Sequence, residues 1–318
     1  MELQMKALIT GGFGFIGAHL TNLLVSRGWH VTIVELKEAV PCVPLPPQNV
    51  TTVYGKYYDQ SVLRSALVDV DVCFHLASSV GPANSNERVI FDIETNLIGT
   101  INLLDAVRAS TVRRFIYLSS GGTVYGGKHS EPLTEDMHGS PTCSYGIVKK
   151  TVEYYLSLYN KLYGLEYNVL RLANPYGVGQ RLNGNQGVIA NFIGKIISNA
   201  PIEIWGDGSV IRDYIYISDA VEAIARAATV ESKNELLNIG TGIGLSLSQI
   251  VQLLKNEFNH SFDVEYKPGR GVDLPVNILN IEKSRKLLDW TPTVDIAEGI
   301  NRTVAWAGQQ THAINHLA

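Results

Sequence analysis

The sequence predicts an α/β fold: a Rossmann-type, doubly wound parallel sheet with a smaller C-terminal region for binding substrate. Three observations predict it. Short β-branched runs alternate with amphipathic helical stretches through the first half of the chain. A glycine-rich turn, Gly11-Gly12-Phe13-Gly14-Phe15-Ile16-Gly17, joins the first run to the first helix. After about Asn174 the alternation loosens, and Gly177, Gly179, Gly184, Gly187 and Gly206-Asp207-Gly208 separate shorter elements.

Lys6–Thr10 reads as a buried strand and residues 15–28 as the helix that follows. His30–Glu35, Val50–Tyr54 and residues 71–76 supply the next three strands. The proline cluster at 41–47 is a surface loop, because the alternation resumes directly after it. A helix over 96–109, a strand over 114–119, a helix over 145–163 and a strand over Glu166–Leu172 complete the first half. Right-handed crossovers between such strands put helices on both faces of one sheet. Further helices are predicted at 188–199, 218–229 and 247–258. The chain thus divides into residues 1–174, the dinucleotide side, and 175–318, a substrate side interleaved with it.

Composition narrows the function. A chain of 318 residues suggests roughly two domains or one large α/β unit. With 26 basic and 30 acidic side chains and a net charge of −4, it lacks the basic excess that nucleic acid requires. Cys42, Cys73 and Cys143 form neither a disulfide framework nor a metal-ligand spacing, so no metal and a reducing cytoplasm are expected. No apolar run reaches the roughly 18 residues of a membrane span, and residues 1–6 lack a signal-peptide pattern. No membrane partner is expected.

In the glycine turn, Gly11 permits the tight bend, Gly14 lets backbone approach a pyrophosphate, and Gly17 lets the helix pack close to its strand. Glu35 closes the second strand about twenty residues on, where a carboxylate accepts from a ribose diol. It would repel a 2′-phosphate, which favours NAD over NADP. Tyr145 and Lys149 lie four apart on one helical face. A neighbouring ammonium and the positive nicotinamide ring both favour a phenolate, so a lowered tyrosine pKa is expected. His75, at the end of an apolar strand, reads as a satisfied core residue, and Cys143 as filler. Tyr154, Tyr155, Tyr159 and Tyr163 read as core or interface.

The turn and the tyrosine pair occur in one chain in the right order. The chain resembles the extended short-chain dehydrogenase/reductases, in the NAD-dependent sugar epimerase/dehydratase family, and among them the UDP-glucose 4-epimerases. The resemblance rests on GGFGFIG at 11–17, HLA at 75–77, Asn96 in TNLIGT, SSGGTVYG at 119–126, YGIVK at 145–149, RLANPYG at 171–177, GDGSVIRDYIYISD at 206–219 and GRGVD at 269–273. It implies NAD as cofactor, with backbone donors at Phe15 and Ile16, and with Leu76, Ala77, Ser78, Asn96 and Ser119 along the nicotinamide side. It makes Tyr145 the acid/base, with Lys149 holding the ribose. Asn174, Arg212 and Arg270 would grip a nucleotide-sugar diphosphate, and Asp273 would accept from the nucleoside ribose. A homodimer built on the helices at 96–109 and 145–163 is also implied.

Three departures stand out. The family's active-site serine or threonine falls at Gly121, so Thr123 or Ser120 must supply the hydroxyl, or the role is left to water. The Gly-Asp after the third strand reads Gly55-Lys56, which removes an acidic partner for adenine. A position often filled by tyrosine where acetylated sugars are rejected is Asn277, which leaves room for a 2-acetamido group. The expected activity is 4-epimerisation of a UDP-hexose or UDP-N-acetylhexosamine through a 4-keto sugar. The rivals are a reductase of a dTDP-4-keto-6-deoxyhexose and a non-catalytic NAD sensor.

Overall fold

The computed structural model describes residues 4–127, 132–184, 186–258, 260–269 and 274–315. Its centre is a seven-stranded, all-parallel sheet. The strands are β1 (Lys6–Thr10), β2 (His30–Glu35), β3 (Val50–Tyr54), β4 (Val72–His75), β5 (Arg114–Ser120), β6 (Glu166–Leu172) and, from much later in the chain, β10 (Glu235–Ile239). In space they run β10-β6-β5-β4-β1-β2-β3. Strand order therefore reverses beside β1, and open α/β sheets bind ligands at the carboxyl ends next to such a switch.

The side-chain period of two builds a core on each face. Ala7, Ile9, Ile116 and Leu118 face one core, beneath α1 (Phe15–Ser26) and α7 (Ile217–Thr229). Leu8, Phe115 and Tyr117 face the other, beneath α2 (Gln60–Ala66), α4 (Gly99–Arg108) and α5 (Ser144–Tyr163). The predicted 96–109 helix has a longer lead. A short α3 (Val89–Asp92) runs into a π-helical turn, Ile93–Ile98, before α4 begins. Thr95 and Thr100 hydroxyls donate to carbonyls four residues back, at Phe91 and Asn96, within that turn. Periodicity alone does not reveal a widened turn.

The second region is built around β9 (Ile211–Tyr216), which pairs with β7 (Asn174–Tyr176), β11 (Gly244–Ser246) and β13 (Val276–Asn277). A separate pair joins β8 (Ile202–Trp205) to β12 (Val264–Lys267). Helices α6 (Val188–Ile197), α8 (Leu247–Glu257), α9 (Glu282–Leu288) and α10 (Ile296–Asn315) complete it. Asp213, buried on β9, accepts from Thr241 N, Thr241 Oγ1 and Gly242 N at 2.8, 2.7 and 3.0 Å, which pins that strand to the turn after β10. The proline loop folds back on the glycine turn, with Cys42 N donating to Phe13 O at 3.1 Å. No helix among the described residues is long and apolar enough to cross a membrane.

One polar cluster lies in the middle of the sheet. Arg171 of β6 is fully buried and donates to both Glu153 oxygens, at 3.1 and 2.7 Å. Ser119 of β5 donates to Glu153 Oε1 at 2.6 Å, and the Tyr125 ring lies 4.6 Å from the guanidinium. The cluster ties α5 to β5 and β6. Arg171→Met would leave the Glu153 carboxylate buried without its cation, a loss of about 3–5 kcal/mol. Urea denaturation should show that loss; one below about 1 kcal/mol would mean that water or Lys150 has taken over.

Candidate active site

The site forms where the turn after β1, the turns after β4 and β5, and the start of α5 meet. Gly11 has φ +76°, and a side chain on Gly17 would lie 2.2 Å from Gly11 O, so the turn closes tightly on the helix start. Helix α1 begins at Phe15 without a side-chain cap, and its first amides are the backbone donors that the glycine pattern reserves for a phosphate. Glu35 ends β2 with its carboxylate accepting from Phe13 N at 3.3 Å and Leu36 N at 3.0 Å. It therefore faces the glycine turn. The residues present fit a dinucleotide.

Tyr145 and Lys149 occupy the first turns of α5. Lys149 is buried; its Nζ donates to Leu118 O at 2.7 Å and sits 4.8 Å from the Tyr117 ring and 5.5 Å from the Tyr145 ring. Burial pushes the Lys149 ammonium down to about 8, against the pull of Asp92 and Glu153. Burial also raises the Tyr145 phenol above its ordinary value, and Cys143 and Asp92 add to this. Burial disfavours the phenolate, so the chain's own residues do not make the phenol acidic; the expectation from the sequence also counted on the positive nicotinamide ring.

The SSGGTVYG segment lies against the same helix turn: a side chain on Gly146 would sit 2.7 Å from Thr123 O. Thr123 Oγ1 is buried and has no hydrogen-bond partner, whereas Ser120 Oγ accepts from Thr123 N at 3.2 Å. The unpaired hydroxyl is therefore that of Thr123. Gly121 leaves no space for the family's hydroxyl. A side chain there would meet Leu279 Cδ1 at 2.6 Å, Leu172 O at 3.0 Å and Arg171 O at 3.1 Å.

Several site candidates also make contacts within the protein. Ser119 donates its hydroxyl to Glu153 Oε1 at 2.6 Å, so that hydroxyl keeps only acceptor capacity for another partner. Asn96 Oδ1 accepts from Ser79 N at 2.9 Å, and its Nδ2 donates to Asp92, so it shapes the loop that carries Leu76, Ala77 and Ser78. Ser78 Oγ donates within that loop, to Val80 O at 2.9 Å. Asn174 donates to Asp213 O at 2.8 Å, which joins β7 to β9. Arg212 Nη1 donates to Ile211 O and Leu274 O, at 2.8 and 2.7 Å. Asn277 is buried beside Gly121 and donates to its carbonyl at 3.1 Å. Its Oδ1 is buried without a hydrogen-bond partner. Arg270 and Asp273 lie outside the described residues.

His75 is a core residue: Thr10 and Thr100 hydroxyls engage its two ring nitrogens at 2.7 and 2.8 Å, and burial pushes it down to about 3. Sequence reasoning missed Glu153, Asp92 and the half-exposed Trp205 at the end of β8. Glu153 follows Tyr145 by eight residues on one helix, and Asp92 precedes Asn96 by four. Both spacings were visible, but nothing marked these carboxylates as buried. Among the described residues no His/Cys/Asp/Glu group is arranged to hold a metal. Gly121→Ser, which restores the family's residue type, should lower stability by about 1–3 kcal/mol through overpacking and fail to raise activity. A stable, faster Gly121→Ser enzyme, measured by thermal melting and turnover, would contradict the packing described.

Comparison with known proteins agrees with this geometry. Residues 7–240 match the model of the NAD dependent epimerase/dehydratase family. A putative UDP-glucose 4-epimerase of Methanocaldococcus jannaschii is 34% identical over 302 residues, 94% of this chain and 97% of that protein. A dTDP-4-dehydro-6-deoxyglucose reductase of Escherichia coli is 31% identical, over 93% of this chain and 96% of its own. The crystal structure of the Thermotoga maritima UDP-glucose 4-epimerase with UDP-glucose superposes with a TM-score of 0.91 at 34% identity, covering 96% of this chain and all of that one. The chain belongs to the NAD-dependent epimerase/dehydratase family, and its cofactor is NAD.

Proposed function

We propose that the chain is a 4-epimerase of a UDP-hexose or UDP-N-acetylhexosamine. The observation that carries this is the cluster of Tyr145, Lys149 and the unpaired Thr123 hydroxyl beside a dinucleotide turn. Phe15 and Ile16 amides would hold the NAD pyrophosphate, Glu35 the adenosine ribose, and Lys149 the nicotinamide ribose. Bound NAD supplies an acceptor and then a donor for the C4 hydrogen, and a positive ring that offsets the high phenol pKa. Tyr145 Oη takes the C4 hydroxyl proton as C4 becomes a carbonyl, then returns it once the sugar has turned over about its diphosphate. Thr123 Oγ1 donates to that oxygen throughout. Arg212, with Arg270, would grip the diphosphate, whose two charges suit a planar guanidinium.

The dTDP-sugar reductase reading draws on the E. coli relative and uses the same Tyr–Lys pair. Turnover separates the two. Purified protein should interconvert C4 epimers of a UDP-sugar with no added nicotinamide nucleotide. Tyr145→Phe should lose about 10²–10⁴-fold in kcat, the usual contribution of a positioned acid/base, with little change in nucleotide-sugar binding. Stoichiometric consumption of reduced cofactor with a 4-keto sugar, and no epimer exchange, would falsify the epimerase reading.

A homodimer belongs to the same proposal. Ile90, Ile98, Ile147, Tyr154, Leu158 and Leu162 leave an exposed apolar face across the α3–α4 segment and α5, and a two-fold contact covers such a face with its own copy. Leu158→Asp should convert the dimer to a monomer in sedimentation velocity. A wild-type monomer at micromolar concentration would contradict this.

A further inference from the structure

We propose that Asp92 is the positioning residue of the Tyr145–Lys149 pair, tying the start of α5 and the loop after β4 to one buried carboxylate. The inference rests on the acid/base role proposed for Tyr145. Asp92 is fully buried where α3 runs into the π-helical turn. Its Oδ2 accepts from Ser144 Oγ at 2.7 Å, and Ser144 is the residue before Tyr145. Its Oδ1 accepts from Asn96 Nδ2 at 2.9 Å, and Asn96 in turn holds Ser79 N, in the loop on the cofactor side. Asn86 Oδ1 accepts from Ser144 N at 2.9 Å, so both polar groups of that first residue are held from the α3 side.

Single π-helical turns inside α-helices occur often at functional sites. Here the turn sets Asn96 and Asp92 against the loop and α5 together. Asp92 also makes no salt bridge among the described residues, so its charge is left to act on its surroundings. Its charge acts on Tyr57, on Tyr117 of β5 and on Tyr145 and Lys149 of α5; Cys143 also acts on Tyr145, Glu153 on Lys149 and Tyr117, and Lys149 on His75 of β4. Its negative charge opposes the Tyr145 phenolate and favours the Lys149 ammonium, which burial disfavours. Removing that charge makes both groups release protons at lower pH. The sign is the same for the two, so the whole pH profile slides toward acid without narrowing.

Asp92→Asn keeps the shape: its oxygen still accepts from Asn96, and its amide donates to the Ser144 hydroxyl. Two readouts are needed. The pH dependence of kcat for C4 interconversion should move down at both limbs by about one pH unit, the lower end of a nearby-charge effect. Phenolate absorbance, titrated with and without Tyr145→Phe in each background, should show the same downward move for Tyr145 alone. Lower turnover with unmoved midpoints overturns the proposal. If Asp92→Asn does not fold, Asp92→Glu keeps the charge on a longer arm and should lose rate with fixed midpoints; moved midpoints there overturn it. The absorbance titration requires no substrate, so its shift stands even if no UDP-sugar turns over, which would count against the epimerase reading only.

Discussion

Everything the site does depends on where α5 sits, and that is set by a buried ion pair. Glu153 projects from α5 into the sheet, where Arg171 of β6 grips it with two nitrogens and Ser119 of β5 adds a third donor. The pair is desolvated, so its Coulomb gain has to offset a large burial penalty, and it does so only with every lone pair engaged. Such a contact contributes little net stability compared with an apolar replacement. What it contributes is register: the helix cannot rotate or slide without leaving a bare charge in the core. One and two turns back along that helix, Lys149 and Tyr145 are therefore presented at a fixed height above the carboxyl ends of β4 and β5.

The opposite wall is fixed by backbone contacts. The Gly11–Gly17 turn is closed tightly enough that a methyl on Gly17 would strike Gly11 O. Gly121 is closed in a similar way, with its N–H on Leu172 O and its carbonyl held by Asn277. The glycine is thus a packing solution, in which β13 of the second region braces the turn after β5. Two residues on, Thr123 Oγ1 is buried without a hydrogen-bond partner. Burial of Tyr145 disfavours its ionisation, and in the proposed mechanism the positive ring of bound NAD offsets this. That arrangement suits an enzyme whose cofactor stays bound.

Much of this was legible in the sequence. The β1 and β2 runs, the glycine turn and the Tyr145–Lys149 spacing depend on local patterns, and local patterns survive folding. The early strand bounds follow directly from β-branched runs closed by glycine or charge. What escaped were facts that arise only from non-local packing. Nothing in RLANPYG says that Arg171 points into the sheet toward Glu153, 18 residues earlier. Asn96, Ser119 and Asn174 carry the right chemistry for ligands, yet their side chains are taken up by Ser79 and Asp92, Glu153 and Asp213. The burial of the Tyr145 phenol escaped for a related reason: desolvation is a property of the folded site, which spacing alone does not reveal.

The central claim is that one sugar is oxidised and re-reduced in place by a cofactor that does not leave. It is tested most directly by following the hydrogen on C4. A UDP-sugar deuterated at C4, mixed with an unlabelled substrate distinguishable by mass, should give labelled product only from the labelled partner, with the deuterium retained at C4 of the new epimer. Loss of deuterium to solvent, or its appearance in the unlabelled partner's product, would contradict in-place transfer.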